Sequence, residues 1–240
     1  MHAWVDAVLA VLLAPTCAAC RETLRHPTRG CVCSTCWNAV VTLPEPRCDR
    51  CGDHLHSHTR ASVDRCCIHC SGGAGHVAKA RAIGPYAGSL RAIVHALKYD
   101  GRRSLARPLA HSMRRAGADI VTGADIAVPV PLHPARRRER GFNQAADLAS
   151  HLGLPVVHAL SRVRATPSQT TLHAAARMAN VDGAFRAARR ASDVRGATVL
   201  IVDDVRTTGA TLEACAIVLR EAGARDVLAL TAARVESSQP

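Results

Sequence analysis

Aromatic side chains are almost absent from this chain of 240 residues, which contains two Trp, two Tyr and two Phe. Proteins that bind single-stranded nucleic acids usually stack the bases on aromatic rings. The composition therefore argues against an extensive base-stacking surface, although binding through phosphate contacts stays open. Neither a Walker A motif nor a GxGxxG motif occurs in the sequence, so these two classes of nucleotide site have no support.

Long apolar runs are missing as well. The apolar segment near the N-terminus, residues 7–14, is far shorter than the ~20 residues that span a bilayer. It also lacks the positively charged start and the small-residue cleavage site of a signal peptide. We therefore predict a short apolar helix that packs on the neighbouring cysteine-rich region, no membrane insertion and a cytoplasmic location.

Lysine is scarce, because Lys79 and Lys98 are the two lysines among 31 basic residues. The basic excess is uneven: residues 76–240 carry 24 basic and 13 acidic side chains, whereas residues 1–75 carry seven and six. Arginine suits bidentate recognition of phosphate. The larger part of the chain is thus predicted to bind a phosphate-rich ligand, with nucleic acid as an alternative.

Cysteine is concentrated near the N-terminus, where ten of the eleven residues lie between Cys17 and Cys70. Four CxxC pairs in two groups are typical of zinc ribbons with closed Cys₄ sites. We predict two structural zinc sites in a small domain, residues 1–75, and a second domain over residues 76–240. The predicted ligands are Cys17, Cys20, Cys33 and Cys36 for one Zn²⁺ ion, and Cys48, Cys51, Cys67 and Cys70 for the other.

Alternatives to this ligand set stay open. Cys31 and Cys66 each lie beside a CxxC pair and could replace a neighbouring ligand. A disulfide framework is disfavoured because clustered thiols without a secretory signal usually bind metal. Four histidines could also compete as ligands, although a solvated loop rich in histidine is the simpler interpretation: His54, His56, His58 and His69.

The segment VLIVDDVRTTGAT, residues 199–211, has the features of a ligand site. Four branched apolar residues predict a parallel strand buried on both faces, and helical spacing follows from Leu212 onwards. The loop between them offers backbone N–H groups and hydroxyls at a helix start, which favours an anion. Because Asp203 and Asp204 would repel a lone phosphate, we predict a phosphorylated sugar with hydroxyls or Mg²⁺ at the acidic pair. An ordinary strand-turn-helix is the alternative.

Two further segments are candidates for the same site. Four arginines within residues 136–140 follow a predicted strand at 125–130 and precede a predicted helix, so they form a second anion site at the carboxyl edge of the sheet. A solvated charge run is the alternative. Residues 162–180 are long and polar, and we hypothesise that they form a lid that excludes water. Another strand is predicted at 156–160. Lys98, Tyr99 and Arg102 follow a predicted helix and could touch a substrate, although solvated charge is the simpler interpretation.

Residues 199–211 resemble the signature of type I phosphoribosyltransferases, which bind 5-phosphoribosyl 1-pyrophosphate (PRPP). The order of motifs along the chain resembles that of the ComF family of bacterial competence proteins. The resemblance implies an α/β fold, with a type I phosphoribosyltransferase-like parallel sheet flanked by helices and preceded by a small zinc-ribbon module. It rests on the CxxC pairs, LKY at 97–99, PVPLHP at 129–134, RGFNQ at 140–144, TPSQ at 166–169, residues 177–180 and residues 199–211.

The resemblance also implies residue roles. Asp203 and Asp204 would hold the ribose hydroxyls near the Mg²⁺ that accompanies PRPP, and would act in catalysis with Arg177. The partners that it implies are PRPP, single-stranded DNA and a competence helicase-type protein. The other residues predicted to bind PRPP are Thr207, Thr208, Gly209, Ala210, Thr211, Arg136, Arg137, Arg140, Asn143 and Gln144.

The predicted function is Mg²⁺-dependent transfer of the phosphoribosyl group to an unidentified acceptor, with release of pyrophosphate. One alternative is a protein that handles single-stranded DNA during uptake and keeps the PRPP site as a sensor or relic. The other is an interaction scaffold whose zinc ribbons form the docking surface.

Overall fold

The computed structural model describes residues 3–55, 65–72, 75–164 and 183–235. Six strands lie in these ranges: β1 (Lys79–Pro85), β2 (Ile126–Pro129), β3 (Leu160–Arg162), β4 (Phe185–Ala187), β5 (Thr198–Arg206) and β6 (Asp226–Arg234). The α-helices of the same ranges are α1 (Ala3–Leu13), α2 (Ser34–Asn38), α3 (Ile68–Ser71), α4 (Gly88–Tyr99), α5 (Ala106–Ala116), α6 (Ala118–Val121), α7 (Pro134–Arg140), α8 (Gln144–Ala149) and α9 (Ala210–Glu221).

Four parallel strands form the central sheet in the order β1–β6–β5–β2. The apolar run in β5 divides between two cores, since Leu200 and Val202 pack on one face while Val199 and Ile201 pack on the other. Helices α4, α5 and α8 cover the first face, and α9 covers the second. The predicted parallel sheet with flanking helices is therefore confirmed.

The edge of the sheet beside β2 differs from the sequence prediction. The predicted strand at 156–160 is reduced to a parallel bridge between Val156 and Ala127, while β3 pairs antiparallel with β4. The bridge is held by two backbone bonds, from Ala127 N–H to the Pro155 carbonyl and from Val157 N–H to the Ala127 carbonyl, both at 2.9 Å. Pro155 has no N–H of its own to extend this pairing.

The arginine cluster also differs from its prediction, because it lies within helix α7 rather than ahead of a helix. Pro134 opens α7, and the His133 ring caps it by accepting from the Ala135 N–H at 3.3 Å. Gly141 ends the helix at φ +78°, a conformation that favours glycine. Asn143 then caps α8 by accepting from the Ala145 N–H at 3.0 Å, so that two short helices replace the one predicted.

The cysteine-rich region packs directly against the sheet region. Leu24 and Val32 share a core with Ile83 of β1 and Leu90 of α4. A Cβ at Gly84 would lie 1.9 Å from the Val41 carbonyl oxygen, so glycine permits this close approach. The predicted boundary near residue 75 thus lies between regions that share one core.

Helix α1 is attached to the cysteine-rich region by its acidic residue. The Asp6 carboxylate accepts from the Thr28 N–H at 3.0 Å and from the Thr28 hydroxyl at 2.7 Å. The apolar side chains of Trp4 and Leu13 remain exposed. Across the parts of the chain that the structure describes, every helix is too short or too polar to cross a membrane.

Candidate functional site

Two groups of four thiols form in the cysteine-rich region. In each group the four sulfur atoms lie within 4.8 Å of one another, which is close enough to share one tetrahedral metal ion. The first group comprises Cys17, Cys20, Cys33 and Cys36, and the second comprises Cys48, Cys51, Cys67 and Cys70. The chain therefore carries two Cys₄ sites of the kind that hold structural zinc.

Backbone N–H groups favour the thiolate form that a zinc ligand requires. The N–H groups of Ala19 and Cys33 donate to the Cys17 sulfur at 3.4 and 3.3 Å. Burial disfavours the Cys17 thiolate, but these and other backbone donors outweigh it and lower the pKa of Cys17 to about 6. In the second group the Cys67 N–H donates to the Cys48 sulfur at 3.4 Å. The donor set thus fits Zn²⁺.

The two surplus cysteines near these pairs lie outside both groups of four. The Cys31 sulfur lies 3.7 Å from the Ser104 hydroxyl oxygen instead. His56 and His58 fall outside the described residues. The cysteines of the four CxxC pairs therefore form both groups of four thiols, as the spacing predicts.

The acidic pair lies at the carboxyl end of β5, the second strand from one edge of the sheet. Asp204 is almost fully buried. Asp203 is partly exposed, and its side chain points to the opposite face of the sheet. Burial and the neighbouring Asp204 carboxylate raise the pKa of Asp203 well above its ordinary value. A cation or hydroxyl donors at Asp203 would relieve this unfavourable charge.

Lys98 belongs to the site, which agrees with the alternative interpretation of this residue and not with the simpler one. It lies in the last turn of helix α4 and places its ammonium nitrogen 2.7 Å from an Asp204 carboxylate oxygen. Burial opposes both charges, but the attraction between them lowers the pKa of Asp204 and raises that of Lys98. The interpretation of Lys98 as solvated charge is therefore wrong. A signal did exist, since the LKY motif is among those that carry the family resemblance.

The threonine-rich loop connects the acidic pair to the start of helix α9. Gly209 adopts φ +85° and, having no side chain, leaves the first N–H groups of this twelve-residue helix without a side-chain cap from that position. The Thr208 hydroxyl oxygen lies 3.5 Å from the Ala210 nitrogen, at the limit of a hydrogen bond. The N–H groups at a helix start favour a phosphate there.

Among the arginines of residues 136–140, Arg140 lies at the site. Arg140 donates to the Gln144 side-chain oxygen at 2.6 Å, and its guanidinium lies 5.3 Å from the centre of the Tyr99 ring. Arg140 also helps to lower the pKa of Asp204, which places it on the acidic pair's side of α7. The Asn143 side chain holds the Val130 carbonyl at 3.0 Å and so has a structural bond of its own.

The other arginines of α7 are placed differently. Arg137 and Arg138 are exposed, whereas Arg136 is partly buried and close enough to Arg162 to lower that residue's pKa, after the larger effect of burial. Arg162, the first residue of the predicted lid, in turn interacts with Asp203. Arg177 and most of the predicted lid lie outside the described residues.

Both tyrosines of the chain lie near Lys98, the partner of Asp204. The charges of Lys98 and Asp204 act on Tyr86, whose pKa is raised mainly by burial. The Tyr99 ring is largely exposed and lies 4.7 Å from the His95 ring, measured between centres. Both rings thus lie close to the cation of the Lys98–Asp204 ion pair.

Comparison with known proteins gives matches in both regions. Residues 138–239 match the family model of the phosphoribosyl transferase domain, and residues 8–71 match that of the double zinc ribbon domain. The DNA utilization protein YhgH of Escherichia coli (strain K12) is 32% identical over 225 residues, which cover 88% of this chain and 93% of that protein.

Two competence proteins are also similar. Competence protein F of Haemophilus influenzae is 28% identical over 221 residues, covering 88% of this chain and 93% of the relative. Competence protein ComFC of Streptococcus pneumoniae is 26% identical over 202 residues, covering 82% and 85%. The similarity therefore extends over both the cysteine-rich region and the sheet region.

Proposed function

From the premise that this chain belongs to the ComF family of competence proteins, we propose that its sheet region binds PRPP and transfers the phosphoribosyl group to an acceptor. The observation that carries the proposal is the continuous path from Asp203 and Asp204 through the threonine loop to the start of α9. That path offers carboxylates for hydroxyls at one end and N–H groups for phosphate at the other. The ligand that matches both ends is a ribose 5-phosphate.

The orientation that we propose for PRPP follows from the carboxylates at one end of the path and the N–H groups at the other. We propose that Thr207, Thr208, Gly209, Ala210 and Thr211 hold the 5′-phosphate at the start of α9. The ribose hydroxyls then lie at the acidic pair, where burial and the charge of Asp204 destabilise the Asp203 carboxylate. Such carboxylate donors fit Mg²⁺, and Asp203 is the residue that would hold it. When bound with PRPP, the ion supplies positive charge to the pyrophosphate oxygens.

Cationic side chains of this chain are placed to assist departure of pyrophosphate. Displacement at the ribose builds negative charge on the leaving group, and fixed cations stabilise that charge. Arg140 lies near Asp204, and Arg162 near Asp203. Lys98 orients the Asp204 carboxylate through their ion pair. We propose that Arg140 and Arg162, together with Arg136 and Arg137, bind the pyrophosphate. Asn143, Gln144 and Arg177 are further members of the proposed site.

A pyrophosphate-release assay tests the transfer. The full-length protein with PRPP and Mg²⁺ is incubated with bases, amines or nucleic acids, one class of acceptor at a time. Release that depends on one class identifies the acceptor and supports transfer. PRPP binding without release for any class contradicts transfer and leaves the site as a sensor.

Handling of single-stranded DNA is the second candidate function. The relatives' names, DNA utilization protein and competence protein, favour it, as do the exposed Arg137 and Arg138 of α7. Phosphate contacts of this kind give binding that is independent of sequence and weakens with salt. Titration of labelled single-stranded DNA at two salt concentrations tests it, with an Arg137→Gln/Arg138→Gln variant as the comparison. Absence of binding at low salt removes this candidate.

The same proposal includes the domain limits 1–75 and 76–240 and a cytoplasmic location, where thiols stay reduced and can hold zinc.

A competence helicase-type protein is the proposed partner of the cysteine-rich region, whose Trp4, Leu13 and Ile68 side chains are exposed. Copurification of that helicase with wild-type protein, and its loss with Trp4→Ser, would support the pairing. Equal recovery with both proteins would contradict a role for Trp4.

A further inference from the structure

Three charged side chains form a mostly buried cluster where the second ribbon, residues 48–55 and 65–72, meets the sheet. One Asp53 carboxylate oxygen lies 2.5 Å from an Arg206 guanidinium nitrogen, and the same oxygen contacts Arg234. The side chains of Asp53, Arg206 and Arg234 are 19%, 13% and 8% exposed. One ribbon residue therefore serves as the counter-ion of two cations in the sheet.

The backbone of the second ribbon fixes Asp53 in place. Its carbonyl accepts from the N–H of the zinc ligand Cys48 at 2.7 Å, and the Ala80 N–H of β1 donates to the Arg50 carbonyl at 2.6 Å. Gly52 lies between these contacts at φ +72°, where a Cβ would come within 2.8 Å of the Ala80 carbonyl oxygen. The ribbon thus holds the Asp53 side chain against the ends of the neighbouring strands.

The two arginines need this counter-ion because they are paired across β5 and β6 in the sheet register. Like charges directly opposite each other destabilise a sheet, and burial increases the penalty. Arg206 is the last residue of β5 and immediately precedes Thr207. Its carbonyl also accepts from the Val235 N–H at 2.8 Å. The position of Arg206 therefore sets where the threonine loop leaves the sheet.

We propose that Asp53 is a positioning residue for the phosphate-binding loop, residues 207–211, and acts by holding Arg206 at the end of β5. The zinc ribbon thereby helps to shape a binding site to which it contributes no ligand contact. This inference rests on the proposed function, because the loop is assigned to the 5′-phosphate of PRPP. Asp53 itself is not a catalytic residue.

The test compares Asp53→Asn with Asp49→Asn in the full-length protein. Asp49 belongs to the same ribbon, its side chain is exposed, and it forms no ion pair within the described residues. Both changes remove one negative charge close to a zinc ligand, so they differ chiefly in the contacts with Arg206 and Arg234. Zinc content is measured first, and both variants are expected to retain two ions.

Amide hydrogen exchange without ligand is the first readout. In Asp53→Asn we expect the amides of residues 207–211 to exchange about tenfold faster than in the wild type, because the loop's anchor is loosened. PRPP affinity with Mg²⁺ is the second readout, and we expect it to be about tenfold weaker, within the usual range of coupling between sites. Asp49→Asn should match the wild type in both.

Arg206→Gln keeps the test decisive if Asp53→Asn does not fold. It leaves Asp53 paired with Arg234, so it removes the anchor without leaving a buried charge unpaired. We expect faster loop exchange in this variant as well. In the double variant Asp53→Asn/Arg206→Gln, exchange should be no faster than in Arg206→Gln alone, since Asp53 acts through Arg206.

Wild-type loop exchange in both Asp53→Asn and Arg206→Gln would overturn the inference, as would an equal effect of Asp49→Asn. The readouts also separate the inference from the proposed function. If the wild-type protein does not bind PRPP, the proposed function fails, while hydrogen exchange still decides whether Asp53 positions the loop. If PRPP binds equally to all variants, the inference fails and the proposed function stands.

Discussion

In the cysteine-rich region, residues 3–55 and 65–72, two groups of four thiols and backbone hydrogen bonds organise the chain. In the sheet region, residues 75–164 and 183–235, apolar side chains buried on both faces of four parallel strands do so. The first region has few large buried side chains and so depends on metal for its order. The second is stabilised mainly by apolar burial and also takes packing and a counter-ion from the first.

Loss of a zinc ligand is expected to have the largest effect. Cys36→Ser should remove one of the two zinc ions and disorder the first group, because a closed Cys₄ site supplies the folding energy of such a small unit. Since Cys36 also packs in the core shared with Ile83, thermal stability of the sheet region should fall too. Metal analysis and thermal unfolding measure both effects.

Cys31→Ser is the matched control, because Cys31 lies outside both groups of thiols. It should keep two zinc ions and near wild-type stability. A protein that retains both ions in Cys36→Ser, or loses one in Cys31→Ser, would refute the assignment of ligands.

Core truncation in the sheet region should be the next largest effect. Leu219→Ala on α9 removes a fully buried side chain and should lower the free energy of unfolding by about 2–5 kcal/mol. Zinc content should not change, because Leu219 packs in the core on the face away from the cysteine-rich region. Ile217→Ala on the same helix, where the side chain is partly exposed, should cost less than about 1 kcal/mol. Equal losses in denaturant unfolding would argue against this core.

Removal of the buried cation at the acidic pair should have an intermediate effect. Lys98→Met leaves Asp204 buried without its partner and should destabilise the fold by about 2 kcal/mol near neutral pH, less than a fully buried pair would lose because Lys98 is partly exposed. The other lysine, Lys79, is exposed, and Lys79→Met should change stability by less than about 0.5 kcal/mol.

The pH dependence of the Lys98→Met effect has a defined sign. Lys98 lowers the pKa of Asp204 in the folded protein, so the pair stabilises the fold above the ordinary carboxyl pKa and this stabilisation is lost as pH falls through the lowered value. The difference between wild type and Lys98→Met should therefore shrink in acid. A difference that grows on acidification would contradict the ion pair.

An exposed ion pair of the sheet region should matter least. An Arg190 guanidinium nitrogen lies 2.7 Å from an Asp193 carboxylate oxygen on the surface, and the two side chains are 61% and 38% exposed. Arg190→Gln should change the free energy of unfolding by less than about 0.5 kcal/mol, because water screens the pair. A loss as large as that of Lys98→Met would show that burial does not distinguish the two pairs.

Local patterns were sufficient to predict much of the fold. The run from Val199 to Val202 predicts a strand buried on both faces, and the structure divides its side chains between two cores. CxxC spacing likewise predicts two groups of four thiols, because each pair lies on one tight turn. The arginines of residues 136–140 lie within a helix and not ahead of one, because Pro134 opens α7 and Gly141 ends it.

Contacts between distant residues account for what the sequence did not predict. Lys98 meets Asp204 only because helix α4 ends beside the carboxyl end of β5. Asp53 meets Arg206 because a zinc knuckle docks on β1. Neither pairing leaves a periodic or spaced signal in the chain, since each depends on how separate elements pack.

Binding of PRPP to wild-type protein and to the double variant Asp203→Asn/Asp204→Asn tests the central claim most directly. Titration calorimetry with and without Mg²⁺ measures the affinity, and metal analysis verifies that both proteins hold two zinc ions. We predict Mg²⁺-dependent binding to the wild type and its loss in the double variant with zinc retained. Equal PRPP affinity in the two proteins would contradict the assignment of the acidic pair.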